Sequence, residues 1–428
     1  GGRLSVIGYR DGRLTVEGVD VADLAARVGT PFYVYGANGM RDRLRSLFDA
    51  FAGLPLRVFF AAKANSNLAV LRTLHAAGAG IEVVSGGEIR RALAAGVPGP
   101  SIVFAGVAKQ DDEIRLALEI GLAQLNVESV PELERISALA VEVGRVAPIA
   151  LRINPDVAAA THDKIATGRK SDKFGIAYTA APEVYALARR LPGVEPVGLH
   201  MHIGSQITDV SSFEAAYLRG VELFRGQRAA GVPLRRLDLG GGFGVRYSDE
   251  ERLPPDELAR LVRRVTEGLD AEIWLEPGRF LVAESGLLVA SVVYVKDTDD
   301  RRFLIVDAGM HTLLRPAMYG AHHTVIPVSR AEDGGVSRTV DIVGPICESS
   351  DVLARGRSLP ELGSGDLVAF ATAGAYGAVM GSNYNSFPSA AEVLVEGKRW
   401  AVVKPRREPE QQFADEVVPE WLEPVPAS

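Results

Sequence analysis

The middle of the chain alternates between short apolar runs and longer amphipathic stretches. The short runs are rich in β-branched and aromatic residues, which indicates strands, whereas stretches such as NLAVLRTLHAAG and QDDEIRLALEIG repeat apolar residues at helical spacing. Several of the helical stretches end in glycine, a common stop signal for helices. The pattern predicts eight strands, at residues 57–62, 81–85, 102–105, 124–127, 148–153, 196–202, 236–240 and 272–276.

Eight strand–helix repeats predict an α/β fold in the form of a (β/α)8 TIM-type barrel. Such barrels typically need about 250 residues, close to the stretch that these repeats occupy. The alternative is a doubly wound sheet, which would normally carry a phosphate-binding glycine loop directly after its first strand. The segment AKANSN, which follows the core of the first predicted strand, contains no glycine. The barrel is therefore favoured.

The rest of the chain predicts a second, all-β unit. After residue 280, runs such as LLVASVVYVKDT and DLVAFATAGAYG follow one another with turns and little helical period. The N-terminal stretch LSVIGYRDGRLTVEGV predicts a hairpin that turns at Asp11 and Gly12, and we expect it to belong with the β unit. The predicted division is a barrel domain over residues 32–280 and a β domain over 281–428, joined by N-terminal strands in residues 1–31.

Composition and charge narrow the function classes. A chain of 428 residues is too long for one ordinary core, and an apolar content of 47% can fill two. The net charge of -7, without a basic run, argues against a nucleic-acid partner, and no apolar run reaches the length of a membrane span. The single cysteine, Cys347, excludes an intrachain disulfide and favours a reducing, cytoplasmic setting.

Reactive and charged side chains fall at the ends of the predicted barrel strands. Barrel enzymes place their chemistry at the C-terminal ends of the strands, so these side chains are expected to face one site. Their convergence is stronger evidence for an active site than any single residue. The set consists of Lys63, Glu82, Ser85, Asn126, Arg152, His200, His202, Gly240, Gly241, Gly242 and Glu276.

Lys63 ends the apolar run LRVFFAA and has two interpretations. A single lysine at a strand end is most often solvated. In a barrel mouth shared with glutamate, histidine and arginine, desolvation would instead lower its pKa. The neutral amine that results is what bond formation with an aldehyde needs, so the barrel context favours a chemical role.

Two further motifs also have a structural and a chemical interpretation. The glycines of DLGGGFG form either a simple tight turn or a cradle whose backbone N–H groups approach a phosphate, which barrels often hold after strand seven. In HMHIGSQ, His200 and His202 could be half of a metal site. The favoured alternative is an imidazole stacked on a planar cofactor, with Ser205 nearby as a phosphate donor.

The motif EPGRF places Glu276 beside Arg279. The pair could form a salt bridge, or the carboxylate could keep a pyridine nitrogen protonated so that the ring withdraws electrons. An amine for an aldehyde, glycines for a phosphate and a carboxylate for a pyridine nitrogen together predict pyridoxal 5'-phosphate as the cofactor. We expect no resident metal.

The motifs FFAAKAN, GIEVVSGGE, HMHIGSQ, DLGGGFG, EPGRFLVAESG, LLRPAMYGAHH, CESSD and GAYGAVMGSNYNS run through nearly the whole chain. This set resembles the barrel-type (fold type III) pyridoxal-phosphate decarboxylases, the Orn/Lys/Arg decarboxylase class-II family, and within it the diaminopimelate decarboxylase branch. The resemblance implies an alanine racemase-like arrangement of barrel and β domain. It also implies a carboxy-lyase that converts meso-2,6-diaminoheptanedioate to L-lysine and carbon dioxide, the last step of lysine biosynthesis.

The resemblance further implies roles for individual residues. Lys63 would bond covalently to the cofactor, His202 rather than His200 would stack on its ring, and Glu276 would face the pyridine nitrogen. Cys347 would protonate the product carbanion, entering with Glu348 from the other subunit of a homodimer. Further cofactor-binding positions would be Ser85, Ser205, Gly241, Gly242, Gly278, Arg279 and Tyr376. Substrate-binding positions would be Arg279, Arg315, Tyr319, Glu348 and Tyr376.

Other functions remain open at this point. Phe387 in NYNSFP stands where the family often has arginine, which bears on the exact substrate. The same fold could decarboxylate ornithine, arginine or carboxynorspermidine, but two arginines near the pocket favour a diacid over a diamine. A racemase would need a second base, a non-catalytic relative would be expected to lose Lys63 or the glycines, and a lysine-dependent aldolase would need neither the β domain nor Glu276.

Overall fold

The structure is a computed structural model that describes residues 6–157, 173–330 and 335–424. Its N-terminal part forms a small sheet followed by a helix. The hairpin strands pair from Ile7 with Val16 to Arg10 with Arg13, so the predicted turn at Asp11 and Gly12 is confirmed. The elements are β1 (Ile7–Arg10), β2 (Arg13–Val16), β3 (Val19–Asp20), α1 (Val21–Val28), β4 (Phe32–Gly36) and α2 (Ala37–Ala50).

The predicted barrel is confirmed within the described residues. Eight parallel strands form a closed sheet, in which the first and last neighbours are joined by pairing of β8 with β9. The strands are β5 (Leu56–Ala61), β6 (Gly80–Val83), β7 (Ile102–Phe104), β8 (Gln124–Val127), β9 (Ala147–Asn154), β11 (Val194–His200), β12 (Arg236–Asp238) and β13 (Glu272–Leu275), and the short β10 (Ile176–Ala177) extends β9. The predicted strands match these to within two residues at each end.

Helices cover the outside of the barrel because their apolar residues recur on one face. In α9, for example, Leu258, Val262 and Val265 are buried against the sheet while the intervening arginines point outward. The helix starts carry the expected caps, such as the Ser129 side chain, which accepts from the N–H of Glu132. The helices are α3 (Leu68–Ala76), α4 (Gly86–Ala94), α5 (Asp111–Glu119), α6 (Val130–Val143), α7 (Ala181–Arg190), α8 (Ser211–Ala229) and α9 (Pro255–Val265).

The C-terminal third is mostly sheet, as predicted. Its helices are α10 (Arg279–Val282), α11 (Arg315–Tyr319) and α12 (Pro409–Gln412). Its strands are β14 (Gly286–Asp297), β15 (Arg302–Val306), β16 (Val325–Pro327), β17 (Ser337–Val343), β18 (Val352–Pro360), β19 (Leu367–Phe370), β20 (Ala391–Glu396) and β21 (Arg399–Lys404).

Strand β4 joins the two ends of the chain. It precedes the barrel in sequence, yet it lies between β14 and β20 in the C-terminal sheet, antiparallel to the first and parallel to the second. The hairpin packs on the same sheet, since Leu14 and Val16 share an apolar core with Val34 and Val393. The division into domains at residues 31 and 280 stays a prediction.

Two findings limit other expectations. In the part of the chain that the structure describes, no helix combines the length and apolarity needed to cross a membrane. The sequence does not show whether the charged segment 161–175 moves as a lid. Most of this segment lies outside the described residues.

Candidate active site

A cavity of about 770 Å³ opens at the C-terminal ends of the barrel strands. Its wall combines residues after β5, β11, β12 and β13 with residues of the β-rich third of the chain. The wall is therefore built by both units. The lining residues are Ala61, Lys63, His202, Ser205, Gln206, Gly242, Phe243, Tyr247, Glu250, Glu276, Gly278, Arg279, Arg315, Tyr319, Ala321, His322 and Tyr376.

Lys63 reaches the cavity from a single helical turn, Ala62–Ala64, that follows β5. The exposed surface of its side chain faces the cavity, and neighbouring protein surrounds the side chain on the other sides. Burial alone would lower the pKa of Lys63. The electrostatic effects of Tyr376, Glu82 and Glu276 raise it by more, so that the pKa lies above its ordinary value. The expectation of a lowered lysine pKa is thus wrong for the protein without its cofactor.

Glu276 lies at the end of β13, held by side chains from two other barrel strands, β11 and β8. Its Oε1 is 2.7 Å from Nε2 of His200, and its Oε2 accepts from the side-chain amide of Asn126 at 3.3 Å. Burial would raise the pKa of Glu276, but His200 beside it holds the pKa below its ordinary value. The carboxylate therefore stays ionised inside the protein.

Asp238, at the end of β12, completes this buried group. Burial and repulsion from Glu276 raise the pKa of Asp238 well above its usual range. One ligand atom each from His200, Asp238 and Glu276 lie within 4.8 Å of one another, the spacing that a metal site would need. The hydrogen bond between His200 and Glu276 engages both groups in this set.

The two histidines of HMHIGSQ separate after the strand ends at His200. His202 lines the cavity, and its Nδ1 accepts from the backbone N–H of Gly241 at 3.2 Å. Burial and the positive charges of Lys63 and Arg152 lower the pKa of His202 well below its ordinary value. A neutral imidazole at this position suits stacking on a flat ring, as expected for His202, whereas His200 does not line the cavity.

The glycine loop after β12 has no room for side chains. A Cβ on Gly241 would lie 2.2 Å from the carbonyl oxygen of Glu276, and one on Gly242 would lie 2.2 Å from that of Gly204. Gly242 also has a φ of 88°, which L-residues rarely adopt. The loop thus packs backbone against backbone, and Gly242 lines the cavity.

Two buried arginines lie on the same wall. Arg279 donates from Nη2 to the hydroxyl of Ser205 at 2.9 Å, and its guanidinium lies 4.7 Å from the ring of Tyr376. Arg315 lies 4.5 Å from the ring of Tyr247. Among the described residues neither arginine forms an ion pair with a carboxylate, and burial together with the positive charge of Arg279 lowers the pKa of Arg315. Two such cations call for anions from outside the protein.

These features fit pyridoxal phosphate. Lys63 offers an amine, Glu276 offers an ionised carboxylate for a ring nitrogen, and Gly242 with Ser205 and Arg279 offers anion-binding groups on one side of the cavity. Among the described residues the buried Nε of Arg279 has no hydrogen-bond partner, as expected at an anion site. The donor set therefore matches the aldehyde, ring and phosphate that the sequence predicts.

Comparison with known proteins gives the same picture. Residues 38–283 match the family described as "Pyridoxal-dependent decarboxylase, pyridoxal binding domain". The diaminopimelate decarboxylase of Zymomonas mobilis is 43% identical over 96% of this chain and 99% of its own length, and that of Pseudomonas fluorescens is 47% identical over 96% and 99%. The chain belongs to the diaminopimelate decarboxylases.

Solved diaminopimelate decarboxylases share the fold. The enzyme of Helicobacter pylori, complexed with L-lysine, superimposes with a TM-score of 0.89 at 40% identity, over 92% of this chain and 98% of that one. The enzyme of M. jannaschii, also with L-lysine, gives 0.91 at 35% identity over 96% and 98%. The predictions of PLP dependence and of carboxy-lyase activity that turns meso-2,6-diaminoheptanedioate into L-lysine are confirmed.

The structure brings most of the predicted site residues of this diaminopimelate decarboxylase to one cavity. Of the fourteen residues to which the resemblance gives catalytic, cofactor or substrate roles, four do not line it, and neither do Glu82, Asn126, Arg152, His200 and Gly240 of the strand-end set. Ser85 caps α4 by accepting from the N–H of Glu88, and Gly241 lies behind the cavity wall. Cys347 and Glu348 are exposed and do not line the cavity of their own chain. The ten residues that do line it are Lys63, His202, Ser205, Gly242, Glu276, Gly278, Arg279, Arg315, Tyr319 and Tyr376.

Sequence reasoning missed two buried neighbours of the arginines. Tyr247 lines the cavity, and its hydroxyl accepts from Nη1 of Arg279. His323 accepts from Nη1 of Arg315 at 2.9 Å. Tyr247 lies three residues after the motif DLGGGFG and His323 is the last residue of LLRPAMYGAHH, and these positions are the signal that could have indicated them.

Proposed function

We propose that Lys63 anchors the cofactor of this diaminopimelate decarboxylase and that Arg279 and Arg315 bind the substrate carboxylate that is not removed. The observation that carries this proposal is the placement of one amine, one buried carboxylate and two arginines around a single cavity, where neither arginine pairs with a carboxylate of the described residues. A diacid supplies an anion that these arginines can bind, whereas a diamine would add a cation.

The cofactor side is supported by three groups. When bound, pyridoxal phosphate supplies an electron-poor ring that takes up the electron pair released as carbon dioxide leaves. Glu276, ionised and fixed by His200 and Asn126, would accept a hydrogen bond from the protonated ring nitrogen. His202 would cover one face of the ring, and Arg279 with Ser205 would bind the phosphate.

The residues that bind the substrate would determine which end of meso-2,6-diaminoheptanedioate reacts. Arg315, with Tyr319 beside it on α11, would bind the carboxylate at the L-configured end and leave the D-configured end beside Lys63. Tyr376 lies against Arg279 and would close over phosphate and substrate. Loss of carbon dioxide from the D-configured end, followed by protonation of that carbon, leaves L-lysine.

We also propose that the protonating group, the Cys347 thiol, comes from the second subunit of a homodimer. Cys347 and Glu348 are exposed and absent from their own cavity wall, which supports a role across an interface. The side chain of Tyr384 donates to Glu348 at 2.6 Å and is itself 47% exposed, so apolar surface borders this segment. Glu348 would then bind the distal amine of the substrate.

A cytoplasmic location completes the proposal. It is supported by the single cysteine, which is free and exposed. A thiol that gives up a proton in each turnover must stay reduced, and the cytoplasm keeps thiols reduced.

Two measurements test the proposal. Purified protein loaded with pyridoxal phosphate is incubated separately with meso-diaminopimelate, ornithine, arginine and lysine, and carbon dioxide release is expected from meso-diaminopimelate alone. Borohydride reduction followed by peptide mapping is expected to place a pyridoxyl group on Lys63, and a Lys63→Ala variant is the control. A label on another peptide would remove Lys63 from its role, and release from ornithine would overturn the assignment of the arginines.

A further inference from the structure

Arg315 is held by a neutral acceptor instead of an acid. His323 is completely buried, and its Nε2 accepts from Nη1 of Arg315 at 2.9 Å. The other ring nitrogen, Nδ1, lies 2.9 Å from the carbonyl oxygen of Ala371, to which it can only donate. This second bond fixes the tautomer that leaves Nε2 free to accept.

The surroundings keep His323 uncharged. Burial and the positive charge of Arg315 lower the pKa of His323 to about 3, so the imidazole is neutral at any working pH. A carboxylate in its place would hold Arg315 equally well but would cancel its charge. A neutral imidazole fixes the guanidinium and leaves its full charge for a ligand.

Tyr247 connects this arginine to the second one. Its ring lies 4.5 Å from the guanidinium of Arg315 and 5.6 Å from that of Arg279, and its hydroxyl accepts from Nη1 of Arg279. The ring of His323 meets that of Tyr247 edge-on, with centroids 5.4 Å apart. Two cations that repel each other are thus held side by side by groups that carry no charge.

The network spans both structural units. Tyr247 belongs to the loop after β12 of the barrel, whereas His323 directly precedes β16 of the C-terminal sheet. The two segments are tied by the hydroxyl of Thr324, which donates to the carbonyl oxygen of Tyr247 at 3.1 Å. The position of Arg315 over the cavity therefore depends on how the β unit is docked on the barrel.

We propose that His323, supported by Tyr247, is a positioning residue that aims Arg315 at the carboxylate retained in the product, and that it thereby sets selectivity for amino acids over diamines. The inference rests on the proposed role of Arg315 as the carboxylate-binding group. His323 itself does not touch the substrate, since it is buried behind Arg315 and does not line the cavity.

L-Lysine and cadaverine form a matched pair of ligands for the test. They have the same amine at the reacting end and differ in the single carboxylate that Arg315 would bind. Their dissociation constants are measured from the absorption change of the cofactor in the loaded enzyme, and the affinity for pyridoxal phosphate is measured on the same variants. The wild type is expected to prefer L-lysine.

In a His323→Leu variant the preference for L-lysine over cadaverine is expected to fall by roughly tenfold, the size expected for losing one hydrogen bond to a charged group. Cadaverine affinity and cofactor affinity should change by less than about twofold. For meso-diaminopimelate, KM should rise more than kcat falls. A His323→Gln variant keeps an acceptor and should recover part of the preference, and His75→Gln, at a histidine of α3, is the distant control.

Each outcome decides one question. If His323→Leu lowers the affinities for L-lysine and cadaverine equally, His323 is only structural and the inference is overturned. The same holds if His323→Gln recovers none of the preference for L-lysine. If His323→Leu fails to fold, Tyr247→Leu, which removes the ring that lies 4.5 Å from the guanidinium of Arg315, decides in its place, and an unchanged preference overturns the inference. An Arg315→Gln variant separates the two proposals. If the preference for L-lysine survives in Arg315→Gln, Arg315 does not bind the carboxylate and the proposed function is wrong on this point. If the preference is lost in Arg315→Gln but kept in His323→Leu, only the positioning role of His323 is wrong.

Discussion

The imidazole of His200 lies 2.7 Å from the carboxylate of Glu276, which lines the cavity, and the two residues stand at the ends of two different barrel strands. A buried carboxylate without partners would take up a proton. His200 on one oxygen and Asn126 on the other prevent this, so Glu276 presents a negative charge at a fixed place. This arrangement suits a group that has to keep a ring nitrogen protonated through the reaction.

A Glu276→Gln variant is expected to lose at least about a hundredfold in kcat, because the amide cannot stabilise a protonated ring nitrogen. The affinity for L-lysine should change far less than kcat, since Glu276 faces the cofactor. Steady-state assays and lysine titrations measure both. The control is Glu272→Gln, an exposed glutamate at the start of the same strand. Turnover within about twofold of wild type in Glu276→Gln would contradict this role.

Glu82 is expected to make the stability of the cofactor-free enzyme depend on pH. Burial raises the pKa of Glu82 to about 8, with Lys63 opposing and Glu276 adding to the rise. Between the ordinary glutamate pKa and that value the folded protein holds a proton that the unfolded chain has released. Stability should therefore fall as pH rises from 5 to 8.

Urea unfolding of the cofactor-free protein at several pH values measures this effect. A Glu82→Gln variant has no proton to lose at this position, so its stability should decline less over the same window. Parallel curves for the variant and the wild type would show that Glu82 ionises normally in the folded protein.

Subunit mixing tests whether the sites are shared between two chains. Lys63→Ala and Cys347→Ala variants should each be nearly inactive alone. After unfolding and refolding together, random pairing would give half heterodimers, each with one intact site, so about a quarter of wild-type activity should return. Sedimentation of each refolded sample confirms the dimer. No recovery from refolded heterodimers would mean that Cys347 acts within its own chain or not at all.

Gly241→Ala should disturb the glycine loop without touching the cavity wall directly. The new Cβ would lie 2.2 Å from the carbonyl oxygen of Glu276, a backbone atom that cannot move aside. We expect a loss of roughly 1–3 kcal/mol in unfolding free energy and weaker binding of pyridoxal phosphate. Thermal unfolding and cofactor titration measure these. Gly226→Ala in α8, where nothing lies within 4 Å of the new atom, is the matched control and should be neutral or stabilising.

Local patterns were enough to predict the barrel. The alternation of strand and helix periods identified all eight strands, because each barrel strand is buried on both faces and each helix on one. The rule that barrel chemistry sits at strand ends then selected Lys63, His202 and Glu276, which line the cavity. Here sequence position alone carries the information.

Strand β4 shows that such local patterns do not predict which strands pair with each other. Its residues, Phe32–Gly36, are all buried and clearly form a strand, but nothing local says that they pair with Gly286–Val289 and with Ala391–Val395. Partners more than 250 residues away along the chain are chosen by which apolar faces fit together in the folded molecule. The sequence patterns therefore did not indicate this strand or the sheet to which it belongs.

The sequence by itself determined the secondary structure, the barrel, the cofactor and the main residues of the cavity, because these follow from periodicities and motifs a few residues long. Tertiary structure decided the charge on Lys63, whose pKa is raised by groups from separate strands, and the neutral support of Arg315 by His323. Both depend on distances between side chains that are far apart in sequence. Electrostatic and hydrogen-bond energies fall steeply with such distances, and only the packed structure fixes them.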